Sequence, residues 1–213
     1  MDREFFMIKL ILIRHGETDY NLQNRYCGFS DPSLNDRGVW QAERLVCRLR
    51  SEKVDMIYSS DLKRTYETAK IVFKNKIIEK VTDFREMNFG IFDGLTHSEI
   101  TQRHPELYKR WLSNPTRIKT PGGEGLKDLS KRVKEILSLI LAQHQDKTIG
   151  IISHGGSIRV ILCAALKYSL KMFWQIEQDI GALNIIEYSE KSEPRVVKMN
   201  DTSHLLIKEK IAL

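Results

Sequence analysis

A single layered α/β domain over residues 1–213 is the architecture this sequence predicts, on three observations. Continuous apolar, β-branched runs alternate with stretches of helical periodicity, no repeat, linker or low-complexity tract divides the chain, and a pair of strand-like segments closes it. Hydrophobic residues make up 41% and charged residues 29% of the 213, a composition that buries a core without disulfide staples and excludes disorder or a collagen-like fibre.

Residues 7–13 (MIKLILI) form a nearly unbroken apolar run, as a strand buried on both faces requires, and lead straight into Arg14-His15-Gly16. After a polar loop, Asn35 or Asp36 caps a helix whose apolar positions Val39, Ala42, Leu45, Val46 and Leu49 follow helical spacing. Residues 54–60 (VDMIYSS) read as a second strand, and Ser60 or Asp61 as the cap of a helix running to about Phe73. Thr96 and Glu99 have the spacing of a capping box, and His104-Pro105 interrupts or restarts the helical stretch that continues to Trp111. Beyond the Pro121-Gly122-Gly123 turn, Leu126, Leu129, Val133, Ile136, Leu137, Ile140 and Leu141 mark one face of a long helix. Residues 149–153 (IGIIS) give a third buried strand, ending in His154-Gly155-Gly156 and followed by a helix-like stretch over 157–169. Residues 182–189 and 194–200 pair as a terminal hairpin.

The formal charge of +6 suits an anionic ligand, but the basic residues are spread along the chain and do not interleave with aromatics, so no nucleic-acid partner is expected. Cys27, Cys47 and Cys163 are an odd, widely spaced set without a CxxC, which argues against a disulfide framework or a cysteine-rich zinc site and for a reducing cytoplasm. The first apolar run is interrupted by Lys9 and follows Asp2, Arg3 and Glu4, so neither a membrane span nor an export signal is expected.

Two strands end alike, in Ile13-Arg14-His15-Gly16 and Ile152-Ser153-His154-Gly155. The C-terminal ends of strands in an open α/β sheet are where ligands bind, and glycine there lets backbone N–H groups approach an anion. Taken singly, each histidine reads as a loop residue; two in this setting point to one shared pocket.

LIRHGETDYN (12–21) resembles the signature of the histidine phosphatase superfamily, which includes phosphoglycerate mutases and many small phosphatases. LNDRGVWQAERL (34–45), YSSDLKRTYETA (58–69), FREMNFGIFDGL (84–95), PGGEG (121–125), SHGGSIR (153–159) and NDTSHL (200–205) resemble further blocks of that family in family order. The resemblance implies a phosphoglycerate mutase-like three-layer sandwich, with a mostly parallel central sheet and helices on both faces. It also implies a phosphomonoesterase acting on a small phosphorylated substrate without cofactor or metal.

Carried over residue by residue, it makes His15 the nucleophile, His154 the second histidine, and Arg14 and Arg64 the phosphoryl clamp. Asn21 and the N–H of Gly155 become further phosphate contacts. Glu86 falls at the position of the proton donor, although Glu99, Glu124 and Asp83 are alternative carboxylates. The roles fit the chemistry: a neutral imidazole is a competent nucleophile, and two arginines with one or two protonated histidines can offset phosphate charge. Within RYCGFSD (25–31), Cys27 and Gly28 fall in a substrate-side loop, with Cys27 where a polar residue is usual. His97 is a candidate contact to the non-phosphate part of the substrate, or an exposed histidine; His104, His144 and His204 read as structural or exposed. Thr65 replaces a usual alanine, tolerable if its hydroxyl finds a backbone carbonyl, and Gly125 replaces a usual serine at a helix cap.

The positions six after the three cysteines are Ser33, Lys53 and Ser169, which removes a cysteine phosphatase, and no GxxxxGK[ST] or HExxH segment exists. His154 follows Glu86 by only 68 positions, too few for the extra segment of the mutases, so the phosphatase branch is favoured over a mutase. The blocks most resemble alpha-ribazole phosphatases of cobalamin assembly and are shared with phosphoserine and broad-specificity phosphatases. A non-catalytic phosphate-binding module is the contrasting class, for which a second histidine and a positioned acid have no use.

Overall fold

The computed structural model describes residues 7–190 and 192–206. In chain order these form β1 (Met7–Arg14), α1 (Asp19–Leu22), α2 (Asp36–Arg48), β2 (Met56–Ser59), α3 (Lys63–Val72), β3 (Glu79–Lys80), α4 (His97–Arg103), α5 (Pro105–Ser113), α6 (Leu126–Gln143), β4 (Thr148–Ser153), α7 (Gly155–Ala165), β5 (Leu183–Ser189) and β6 (Ser192–Asp201), joined by short 3-10 turns. The strands make one six-stranded sheet in the order β3-β2-β4-β1-β5-β6. β1 to β4 run parallel and the terminal hairpin β5-β6 adds antiparallel to β1.

The continuous apolar character of β1 follows from its central place: Leu10, Ile11, Leu12 and Ile13 are all fully buried. Alternation divides them between two cores. Ile11 and Ile13 pack with α2 and α3, whereas Leu10 and Leu12 pack on the face covered by α6, α7 and the segment around Phe84, Phe92 and Trp111. Helices therefore cover both faces of the sheet, as the sequence predicts.

Thr96 and Glu99 form the reciprocal capping box that opens α4, and His104-Pro105 ends α4 and begins α5 with Pro at its first turn. Gly125 stands at the cap position of α6 and its N–H donates to the Asp128 carboxylate at 2.9 Å, the half of a capping box that needs no side chain at the cap.

Three local expectations need correction. The face that α2 turns inward is Gly38, Gln41, Ala42 and Leu45, leaving Val39 and Val46 at 38% and 42% exposure; Gln41 is buried because its Oε1 accepts from the N–H of Glu17 at 2.8 Å. Neither Ser60 nor Asp61 caps α3. Leu62 holds the cap position, the Lys63 N–H donates to Asp31 at 2.6 Å, and Asp61 pairs with Arg85. The last helix begins at Gly155 rather than at 157 and ends at Ala165, with His154 at its cap position.

Candidate active site

The parallel register of β1 with β4 builds the site. Arg14 lies opposite Ser153, so the next residues, His15 and His154, leave the sheet side by side. The His15 N–H donates to the Ser153 carbonyl at 3.1 Å, and the two rings meet edge to face with centroids 5.2 Å apart.

His15 Nδ1 lies 2.7 Å from the carbonyl oxygen of Gly16. A carbonyl only accepts, so the proton sits on Nδ1 and Nε2 keeps its lone pair. His154 Nε2 shares a 2.9 Å hydrogen bond with Ser60 Oγ, and its Nδ1 is buried without a partner among the described residues. Burial, reinforced by the charges of Arg64 and Arg14, holds both imidazoles well below their ordinary 6.5. Both are neutral in the free site, so its positive charge comes from arginine and not, as the sequence allowed, from histidine.

Arg64 is fully buried, and its guanidinium is held by backbone carbonyls alone: Nη1 donates to Ser30 at 2.7 Å, and Nη2 to Gly28 at 2.9 Å and Cys27 at 3.4 Å. No carboxylate among the described residues pairs with it. Arg14 donates through Nη1 to the Gln178 carbonyl, and the Nε groups of both arginines are buried and unpartnered among the described residues. Burial, opposed by Glu86 and aided by Arg159, lowers the Arg14 guanidinium to about 10. Buried cations and buried donors left open in one place are costly unless an anion completes them.

Glu86 reaches the same place from the loop after the 3-10 turn at 82–84. Its oxygens accept from the Gly156 N–H at 3.0 and 3.1 Å and from the Met87 N–H at 2.8 Å. Gly156 has to be glycine for this approach, because a Cβ there would sit 2.0 Å from Glu86 Oε1. Two of the alternative carboxylates are engaged elsewhere. Glu124 is paired with Arg132 and accepts from the Asn88 N–H, and Glu99 is held by Thr96 and Arg25. Arg132 also binds the carbonyls of Asp83, Arg85 and Glu86 at 2.7 to 2.9 Å, fixing the Glu86 backbone from behind.

The remaining residues divide into two groups. Asn21 and His97 line, with Arg14, Arg25 and Tyr26, a cleft of about 390 Å³. Asn21 Oδ1 accepts from the Thr18 N–H and hydroxyl at 3.0 Å each, which turns its amide NH₂ away from Thr18, and His97 Nδ1 bonds the Tyr108 hydroxyl at 2.7 Å. Cys27 and Gly28, expected to face substrate, lend their backbone carbonyls to the cradle of Arg64. The Gly28 N–H is taken by Asp93 at 3.0 Å, and burial pushes the Cys27 thiol up to about 11. Gly155 opens α7, and a Cβ added there would lie 3.5 Å from the Arg14 guanidinium. Of the histidines read as structural or exposed, His144 bonds the Tyr58 hydroxyl at 2.7 Å and His204 is buried. The Thr65 hydroxyl finds the carbonyls of Ser60 and Leu62 at 2.9 and 2.7 Å.

Sequence reasoning missed Ser60 as the partner of His154, Arg132 as the support of Glu86, and Arg159. Ser60 and Arg159 lie inside the SSDLKR and SHGGSIR blocks, which was the available signal; Arg132 lies in no block. Among the described residues no three His, Cys, Asp or Glu side chains are grouped to hold a metal ion, and no helix is long and apolar enough to cross a membrane.

The neutral histidines set the acid stability. His15, His154 and His204 all sit below their unfolded value, so on acidification the unfolded chain takes up protons first and the folded state loses stability as the pH falls through about 6.5. Thermal midpoints should therefore decline between pH 7.5 and 5, less steeply in His15→Ala; an equal slope in the variant would remove His15 from this account.

Comparison with known proteins gives consistent results. The family model described as the histidine phosphatase superfamily (branch 1) matches residues 10–202. The chain is 36% identical over 201 residues to phosphoserine phosphatase 1 of Hydrogenobacter thermophilus, covering 93% of this chain and 95% of that one. It is similar to the crystal structure of the alpha-ribazole phosphatase from Shigella flexneri, with a TM-score of 0.84 at 28% identity, over 91% of this chain and 96% of the other. It is also similar to the phosphoserine phosphatase from Entamoeba histolytica in complex with 3-phosphoglyceric acid, with a TM-score of 0.83 at 29% identity, over 93% and 100% of the two chains.

Proposed function

Because the chain belongs to the histidine phosphatase superfamily, branch 1, we propose that it is a cytoplasmic phosphomonoesterase that hydrolyses a small phosphorylated metabolite through a phosphohistidine at His15, without a metal ion. The observation that carries this reading is the set of buried polar atoms left open, Arg14 Nε, Arg64 Nε and His154 Nδ1, on the residues that surround His15; with Ser60 Oγ donating to His154 Nε2, all three atoms donate. A phosphoryl group completes all of them.

In the first step His15 Nε2 attacks phosphorus as the bond to the ester oxygen breaks. Arg14 and Arg64 stabilise charge on the equatorial oxygens, a role suited to rigid guanidinium forks held in a water-poor site. His154, Asn21 and the N–H of Gly155 bind the same oxygens, and Glu86 gives its proton to the departing alcohol. In the second step Glu86 takes a proton from water as that water attacks the phosphohistidine, which releases inorganic phosphate and restores His15.

Two substrate classes follow from the relatives: phosphoserine, from the likeness to the Hydrogenobacter enzyme, and alpha-ribazole 5′-phosphate of cobalamin biosynthesis, from the likeness to the Shigella enzyme. The test is incubation with both, with nitrophenyl phosphate and with 3-phosphoglycerate, in excess chelator. Release of inorganic phosphate, inhibited by vanadate, is the expected result. Phosphoglycerate isomers without phosphate would indicate a mutase, absence of turnover on every ester a binding module, and loss of activity to the chelator a metal-dependent reaction.

A further inference from the structure

Arg159 is a cation of this site that the reaction above leaves unused. It stands on the first turns of α7, and its Nη1 projects over Gly155: a Cβ on that glycine would lie 3.1 Å from Arg159 Nη1 and 3.5 Å from Arg14 Nε and Cζ. Two guanidiniums therefore share one small patch at the edge of the phosphoryl site. Their repulsion is offset by Glu86 and, for Arg159 as for Arg14, by the nearby Asp179.

Its side chain is fixed. Nε donates to the Ile176 carbonyl at 2.7 Å, and the guanidinium lies over the rings of Phe173 and Trp174 at 5.8 and 5.9 Å. Nη1 and Nη2 have no hydrogen-bond partner among the described residues, so the outer edge of the fork is held in place and left open. That edge is on the side of the site where the proton donor stands. Arg159, Glu86, Gly156, Phe173 and Trp174 line one small cavity of about 30 Å³, so the guanidinium and the acid face the same space. The acid must meet the ester oxygen of the leaving group, so what comes within reach of Arg159 is a compact substituent of the leaving alcohol a few bonds from that oxygen.

We propose that Arg159 is a specificity-determining residue whose Nη1 and Nη2 bind a carboxylate on the leaving alcohol, selecting phosphomonoesters of small hydroxy acids over neutral or cationic ones. The inference rests on the phosphohydrolase reading above. A planar fork held by its Nε and bordered by two aromatic rings presents two parallel donors in one plane, the geometry a carboxylate accepts and a single hydroxyl does not.

O-phosphoserine and O-phosphoethanolamine differ by one carboxylate, and the ratio of their kcat/KM values isolates its recognition. In Arg159→Met that ratio should fall roughly 10- to 100-fold, the scale of charge-assisted hydrogen bonds lost in a transition state. Arg159→Lys, which keeps the charge and the apolar stem, should recover part of it. A residue that merely holds Ile176 and Trp174 in place lowers both substrates together and leaves the ratio unchanged, and that result overturns the proposal. So does a wild-type ratio near one, as when the leaving group turns into the cleft lined by His97. If Arg159→Met does not fold, Arg159→Lys alone carries the test, an unchanged ratio again counting against the proposal. Failure of the underlying reading shows separately, as absence of nitrophenyl phosphate turnover by the wild-type protein.

Discussion

His15→Ala should remove turnover by about 10⁴- to 10⁶-fold, the scale on which deletion of a covalent nucleophile acts. The Gly16 carbonyl fixes the proton on Nδ1, so Nε2 is the only lone pair of that ring available to phosphorus, and burial with two arginines keeps it unprotonated at neutral pH. His154 has its Nε2 engaged by Ser60 and only Nδ1 open. Rapid quenching of the wild-type enzyme with labelled substrate should trap a phosphoenzyme that is stable to alkali and labile to acid, and the alanine variant should carry no label. Label persisting in His15→Ala would move the covalent role to another residue.

Glu86→Gln should separate proton transfer from phosphate binding. The amide oxygen of Gln can still accept from the N–H groups of Gly156 and Met87, so the variant keeps the loop in place while losing the transferable proton. Alkyl phosphates expel a strongly basic alkoxide and should slow by roughly 10²- to 10⁴-fold, the usual contribution of a positioned acid, whereas nitrophenolate leaves without help. Phosphoenzyme formation from nitrophenyl phosphate should therefore be much less affected than that from O-phosphoserine. Equal losses on both would make Glu86 a positioning group for α7 instead.

Much of the architecture is readable in local patterns. The run MIKLILI, the capping box at Thr96 and Glu99, the His104-Pro105 break and the apolar face of α6 each encode their element within a few residues. Where the expectation slipped, a distant group had taken over. Asp31 binds the Lys63 N–H that Ser60 or Asp61 was expected to satisfy, and Gln41, whose Oε1 satisfies the Glu17 N–H, takes a buried place on α2 while Val39 and Val46 stay exposed.

The site divides in the same way. By itself the sequence determined that two strands end in His-Gly and that Arg14, Arg64 and several carboxylates lie in blocks around them, because strand runs and short motifs are properties of neighbouring residues. Only the tertiary structure decided that β1 and β4 are adjacent and in the register that sets His15 beside His154. It also decided that Arg64 is cradled by Cys27, Gly28 and Ser30, and that Glu86, rather than Glu99 or Glu124, reaches the N-terminus of α7. Those outcomes depend on which buried donors and acceptors remain to be satisfied once the sheet and helices have packed, and that requirement joins residues far apart in the chain.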